Sequence, residues 1–251
     1  MDAPIADTTS RFSDRVLRFL ERVEHRVART PAEREAVYQL RYEAYIRNGL
    51  IEPRADRRLH DERYDDAPDA WITTTFIDGE LAGTTRVNLA ADEDAILPSF
   101  TVYPDVIGPY LRAGRVIVES TRTAARLELS GRFPELPYIT LRPAYLAAEH
   151  FDVNFVVATA RADHMAFFRR VFCLVPWCEP RDYPDFTAKV ACMGADARAV
   201  QERIETRYPF LRSTAAEREA LFGSRGGAAD VPSHAIRAYR SFEAGACASF
   251  R

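Results

Sequence analysis

Residues 71–77 (WITTTFI) and 80–89 (ELAGTTRVNL) are two β-forming runs joined by Asp78-Gly79 alone. A two-residue Asp-Gly link of this kind specifies a tight hairpin, because Asp tolerates and Gly freely adopts the positive φ that such turns need. An antiparallel pair is therefore fixed in the middle of the chain. Further on, residues 153–160 (VNFVVATA) form the most apolar short run, which predicts a buried strand, parallel to a neighbour. Helical patterns stand on either side of it, at 138–150 and 162–172. A hairpin followed by strand–helix–strand units is accommodated by one mixed sheet flanked by helices, an α/β (α+β) fold.

The remaining segments fit that frame. Phe12, Val16, Phe19 and Leu20 share one face of a helix over residues 11–22, behind the caps Thr9 and Ser10. Residues 23–29 alternate as a short strand. Thr30-Pro31-Ala32-Glu33 is a capping box with proline at the first helical position. The helix it opens has Val37, Leu40 and Ala44 as its apolar face and Gly49 as its stop, with Arg41 one turn before Tyr45. Residues 51–70 are a polar loop rich in both charges, of a length that is often functional. Residues 90–114 are irregular with one short helix, and 115–121 (RVIVEST) alternate as a strand. Pro143 should kink the 138–150 helix or mark its start. Residues 186–193 predict a closing strand, and 198–222 a helix broken near Pro209. The predicted organisation is an N-terminal helix (1–22), one main domain (23–222), and a linker with a tail (223–251).

Composition narrows the function. The 251 residues are 47% hydrophobic and carry a formal net charge of −3, which argues against a duplex nucleic-acid binder. Lys189 is the sole lysine, so nearly every cation is a planar guanidinium suited to carboxylates and phosphates. Cys173, Cys178, Cys192 and Cys247 include no C-x-x-C pair, and no His pair lies nearby at zinc spacing. They read as reduced thiols of a cytoplasmic protein without a metal site. No signal-peptide core and no apolar stretch long enough to span a membrane is seen.

Three short constellations carry chemical potential. Glu119-Ser120-Thr121-Arg122 closes the 115–121 strand. Positions 119 and 121 share one face, so a bulge or strand end is needed to bring Glu119 and Arg122 together. His60-Asp61-Glu62-Arg63-Tyr64-Asp65-Asp66 supplies carboxylates that can hold an ammonium group. Gly83-Thr-Thr-Arg86 places an arginine on a hairpin strand, where it needs a carboxylate partner. Each has a plain structural alternative: a solvated strand end, a solvated loop, an outward arginine.

Their order is more specific than any one of them. Leu40-Arg41-Tyr42-Glu43-Ala44-Tyr45, the acidic Tyr-Asp loop, Gly-x-x-Arg on the hairpin and Glu-x-x-Arg on the next strand resemble the acyl-homoserine-lactone (autoinducer) synthases of the LuxI type. They resemble the N-acyl amino acid synthases of the FeeM type still more closely, and His164-Met-Ala-Phe-Phe-Arg-Arg-Val-Phe172 is similar to the latter pattern. The resemblance covers residues 23–195 and implies the GNAT acyltransferase fold. It departs from the LuxI pattern in lacking a tryptophan just beyond Arg41, since Trp71 and Trp177 lie elsewhere, which argues against S-adenosylmethionine as amine donor. CoA-using GNAT proteins carry an Arg/Gln-x-x-Gly-x-Gly/Ala loop after the central strand, whose N–H groups hold pyrophosphate. Here that stretch, residues 121–132, has Gly131 alone.

The resemblance implies an N-acyltransferase moving a long acyl chain from acyl carrier protein to the amine of an amino acid. No resident cofactor is implied, and CoA is the other donor. The competing readings are a lactone synthase using S-adenosylmethionine and a non-catalytic acyl-binding module of the same fold. In the enzyme reading Glu119 is the base and Arg122 orients it or binds a substrate carboxylate. Arg41 and Arg86 lock the acidic loop through Asp61, Glu62 and Asp65 over a pocket that Tyr45, Ser120 and Thr121 help to form. An acidic carrier would meet an arginine patch drawn from Arg122, Arg126, Arg132, Arg142, Arg169 and Arg170.

Overall fold

A computed structural model describes residues 4–223 apart from Ala95 and Asp185. The predicted linker and tail, with Cys247, lie outside the described residues save for Gly223. A seven-stranded mixed sheet, in the order β1-β2-β3-β4-β5-β7-β6, organises the chain.

Helix α1 (Pro4–Leu20) begins earlier than its sequence pattern suggests, so Thr9 and Ser10 lie within it rather than capping it. Val16 and Phe19 are buried in the main core as expected. Strand β1 (Val23–Val27) lies at one edge of the sheet. Helix α2 (Pro31–Arg47) starts on the predicted box, with the Thr30 side chain accepting from the Glu33 N–H while the Glu33 side chain accepts from the Thr30 N–H. The polar loop holds one short helix, α3 (Glu62–Asp65).

β2 (Ala70–Ile77) and β3 (Glu80–Ala90) pair through the Asp-Gly turn, where Asp78 and Gly79 take φ of 50° and 83°. Residues 90–114 hold two helices rather than one, α4 (Pro98–Val102) and α5 (Pro104–Arg112). Each has a proline at its start, where the missing N–H costs nothing. The next strand, β4 (Ile117–Ala125), runs past its predicted end, because Arg122 takes φ 53° in a bulge instead of terminating it.

α6 (Leu127–Arg132) and α7 (Leu136–His150) follow. α7 starts at Leu136, not at Pro143, and Pro143 is a buried interior residue. β5 (Phe155–Ala160) lies parallel to β4, as its apolar run predicts. Then come α8 (Ala162–Phe172), the two-residue β6 (Val175–Pro176) and β7 (Ala191–Asp196). The predicted strand at 186–193 is thus displaced. Of residues 186–190 only Val190 is paired, in an isolated bridge to Arg181. α9 (Ala197–Arg207), a 3-10 turn at Pro209–Leu211 and α10 (Ala215–Phe222) give the expected break at Pro209.

The sheet is sandwiched between two helical layers. On one face α7 lies across β2, β3 and β4, joined by α1, α6, α8 and α9 around the largest apolar cluster. α7 approaches so closely at Gly83 that a Cβ there would meet Thr140 Oγ1 at 2.6 Å, which explains glycine inside a strand. On the other face α2 packs on β3 and β4, while α4 and α5 cover β4, β5 and β7 through Leu97, Tyr103 and Ile107. No helix among the described residues is long and apolar enough to cross a membrane.

Candidate active site

The β4–β5 ladder ends at Ser120–Ala158, while β4 continues to Ala125 and β5 to Ala160. The two strands therefore part beyond Ser120, and the backbone of β4 faces the gap. On the β3 side the register jumps from Arg86–Thr121 to Thr84–Ala124. Arg122 and Thr123 together stand opposite Thr85. This bulge re-aims Arg122 onto the side occupied by Thr121, which strict alternation forbids.

Two cavities meet here. The first, of about 280 Å³, runs between β4–β5 and helices α7, α8 and α9. Val118, Ala144, Ala148, Val157 and Phe172 give it an apolar wall, and Glu149, Gln201 and Arg218 lie at its far end. The second, of about 110 Å³, is lined by Tyr45, Arg86, Thr121, Arg122, Arg161, His164, Tyr183 and Phe186. Ser120 and Phe168 border both. Among the described residues no carboxylate lines the second cavity, whereas Arg86, Arg122 and Arg161 do.

An ion-pair chain sits beside the second cavity. Asp65 is fully buried and accepts from Arg41 at 2.8 Å and Arg86 at 3.2 Å through Oδ1, while its Oδ2 accepts the Asp61 N–H. Asp61 Oδ2 accepts from Arg122 at 3.2 Å and lies 3.6 Å from Arg86. Burial works against ionising Asp65, but Arg41 and Arg86 outweigh it and hold its carboxyl down at about 2. Arg86 Nε also donates to Thr121 Oγ1. The Arg122 guanidinium lies 5.2 Å from the Phe186 ring centre and 5.9 Å from that of Tyr45, and its Nη1 is buried with no hydrogen-bond partner among the described residues.

Of the residues singled out from sequence, Arg41, Asp61, Asp65, Arg86, Thr121 and Arg122 form this one network. Tyr45 lies beside Arg122, and Ser120 stands between the cavities. Glu62 is exposed on α3. Arg122 pairs with Asp61, not with Glu119.

Glu119 lies one pleat behind Thr121 on the same strand face and is fully buried, lining neither cavity. Its Oε2 accepts the Ser99 N–H at 3.1 Å and the Ser99 hydroxyl at 2.8 Å, and its Oε1 has no hydrogen-bond partner among the described residues. Burial pushes its carboxyl up to about 7, against the pull of Ser99 and Arg86. A carboxyl at that level exchanges a proton near neutrality.

Sequence reasoning missed Ser99, Tyr183 and Phe186. Tyr183 and Phe186 stack at 5.2 Å on the loop before β7, with Phe186 under Arg122. Their only local signal was aromatic residues in a segment read partly as strand. Of the proposed carrier-facing arginines, Arg142 is buried, donating to the Phe210 and Arg212 carbonyls and paired with Glu217, so it presents no surface charge. Arg122 is buried too. Arg126 is half-buried and donates to the Leu81 carbonyl, whereas Arg132, Arg169 and Arg170 are exposed.

A sequence model of the N-acyl amino acid synthase FeeM family matches residues 36–196. Among solved structures, FeeM, an N-acyl amino acid synthase from uncultured soil microbes, superposes with a TM-score of 0.60 at 17% identity, covering 75% of this chain and 98% of its own. BjaI, a CoA-dependent acyl-homoserine lactone synthase, gives 0.52 at 15% identity over 87% of this chain and 98% of its own. The acyl-homoserine lactone synthase LasI gives 0.50 at 14%, over 84% and 98%. No curated protein matches the sequence.

Proposed function

The chain belongs to the N-acyl amino acid synthase FeeM family and is an acyltransferase of the GNAT-like fold; from that premise we propose that it transfers a long acyl chain from acyl carrier protein to the amine of an amino acid. The observation that carries the acceptor is the second cavity: Arg86, Arg122 and Arg161 line it, and among the described residues no carboxylate does. A free carboxylate on the acceptor complements that wall, and Arg122 has a buried N–H group left to donate. The first cavity, apolar and joined to the second at Ser120, supports a long acyl chain as the transferred group.

In this reading the thioester carbonyl sits at Ser120, where the strands part. Glu119, ionised, takes one proton from the acceptor's ammonium through one water. The freed lone pair forms the C–N bond, and the backbone N–H groups of β4 beyond the last rung meet the oxyanion. Collapse of the adduct breaks the C–S bond. The second N–H proton leaves with the thiolate as the carrier's thiol, and Glu119 returns its proton to water.

For the donor, residues 121–132 fold as the bulged end of β4 and the six-residue α6, with Gly131 inside the helix and no glycine-rich cradle. A carrier-borne thioester needs none. The exposed Arg132, Arg169 and Arg170 supply positive charge for an acidic carrier.

The acceptor assignment is tested by comparing an accepted amino acid with its decarboxylated amine. Removal of the carboxylate should raise KM at least ~10-fold in the parent and far less in Arg122→Gln, in line with a lost charge-assisted hydrogen bond. Equal KM values for the pair would exclude carboxylate recognition.

A further inference from the structure

The mechanism leaves unexplained why a fully buried carboxylate keeps one oxygen doubly hydrogen-bonded and the other bare. Ser99 is on α4, before β4 in the chain, and is itself fully buried. Both of its donors converge on one atom, Glu119 Oε2, at 3.1 Å and 2.8 Å. Oε1 has no donor among the described residues.

We propose, resting on the reading of Glu119 as the base, that Ser99 is a positioning residue which fixes the Glu119 carboxylate so that Oε1 alone receives the acceptor's proton. The physical argument is one of occupancy. A carboxylate oxygen that already accepts two hydrogen bonds is a poor proton acceptor, because protonation there would discard both. The bare oxygen loses nothing. Two donors from a single residue also remove rotation about the last side-chain bond, so the free oxygen keeps one direction. α4 is itself held by its neighbours. Pro98 sets its first turn, Tyr103 at its end is fully buried, and the Tyr103 hydroxyl donates to the Val190 carbonyl beside β7.

The groups facing Glu119 are few. Asn88 stands opposite it on β3 and Val157 on β5, and Arg86 acts on it from β3. Tyr183 from the loop before β7 and Cys192 on β7 feel its charge, and burial raises the titration of both. Arg86 is the sole cation among these, and it is already held by Asp65 and Thr121. Ser99 is therefore the main source of direct stabilisation for the ionised carboxyl.

The test uses the full chain and three variants: Ser99→Ala, Ser99→Thr and Glu119→Gln. Ser99→Ala keeps the backbone donor and loses the hydroxyl. Its acidic limb in kcat/KM should move upward by about one pH unit, with kcat at pH 7 reduced roughly fivefold and KM for the acceptor nearly unchanged. Ser99→Thr, which keeps both donors, should restore the parent limb. In the unmodified protein, the Ser99 amide proton should titrate in NMR with the same midpoint as the limb, and this needs no variant to fold. A folded Ser99→Ala with an unmoved limb, or a Ser99 amide that does not titrate, overturns the proposal while leaving the base assignment standing. Turnover by Glu119→Gln near the parent level overturns both.

Discussion

Glu119 and Asp65 are buried carboxyls on one face of one sheet, and their surroundings send them in opposite directions. Asp65 meets two arginines and stays ionised, while Glu119 meets a serine and a distant arginine and holds its proton until about pH 7. The signs of their stability effects differ accordingly. Asp65 is depressed to about 2 from an unfolded value near 4, so its contribution is present above pH ~4 and is lost as pH falls through ~2. Asp65→Ala leaves Arg41 and Arg86 buried without their shared partner and should cost about 3–5 kcal/mol by urea denaturation at pH 7. Glu119 is raised, so the native state keeps a proton that the unfolded chain gives up between pH ~4.5 and ~7, and stability falls across that window. Glu119→Gln should therefore be more stable relative to the parent at pH 8 than at pH 5, and should lack turnover at both. Thermal melts at the two pH values check the first expectation, and rate measurements the second.

At the scale of elements, what was legible in the sequence was local. The capping box at Thr30–Glu33 and the Asp78-Gly79 turn rely on neighbours three residues apart or fewer, and both are present. A carboxylate of the acidic loop was legible as the partner of Arg86, because an internal arginine demands one, whereas Arg41 and Asp65 were reached only through the family resemblance. Ser99, Tyr183 and Phe186 were not, since their roles arise only when α4 and the loop before β7 fold against β4. The displaced strand at residues 186–193 has the same origin. Its β-forming residues are overridden by Phe186 packing on Tyr183 and under Arg122. The bulge in β4 was foreseen only as a requirement, since nothing in Thr121-Arg122-Thr123 announces a positive φ. α7 supplies a test at this scale. Ala144 and Ala148, one turn apart, keep its cavity-facing wall low. Ala144→Phe should fill part of the channel, lower kcat/KM for long acyl donors by tenfold or more, and spare short ones. A donor-length series in that variant measures the effect, and an unchanged preference would place the acyl chain elsewhere.

For the whole molecule, the sheet brings two unlike cavities to the one place where β4 and β5 separate. The apolar channel lies on the α7–α8–α9 side, the cationic pocket opens beside the α2 and α3 network, and Ser120 belongs to both. That division matches a reaction joining a greasy acyl group to a small charged amine. It also makes the donor question one of recognition at the surface. Carrier-dependent turnover should weaken as salt rises from about 50 to 500 mM, because charge-steered docking is screened on that scale. A CoA donor bound through pocket contacts alone would be less sensitive.

The central claim is transfer of a carrier-borne acyl chain to an amino acid. It is tested most directly by mass spectrometry of the products formed from a long-chain acyl carrier protein, a mixture of amino acids and S-adenosylmethionine. An N-acyl amino acid, absent with Glu119→Gln, is the predicted result; an acyl homoserine lactone, or no product from a folded protein with carrier-borne or CoA-borne chains, would contradict it.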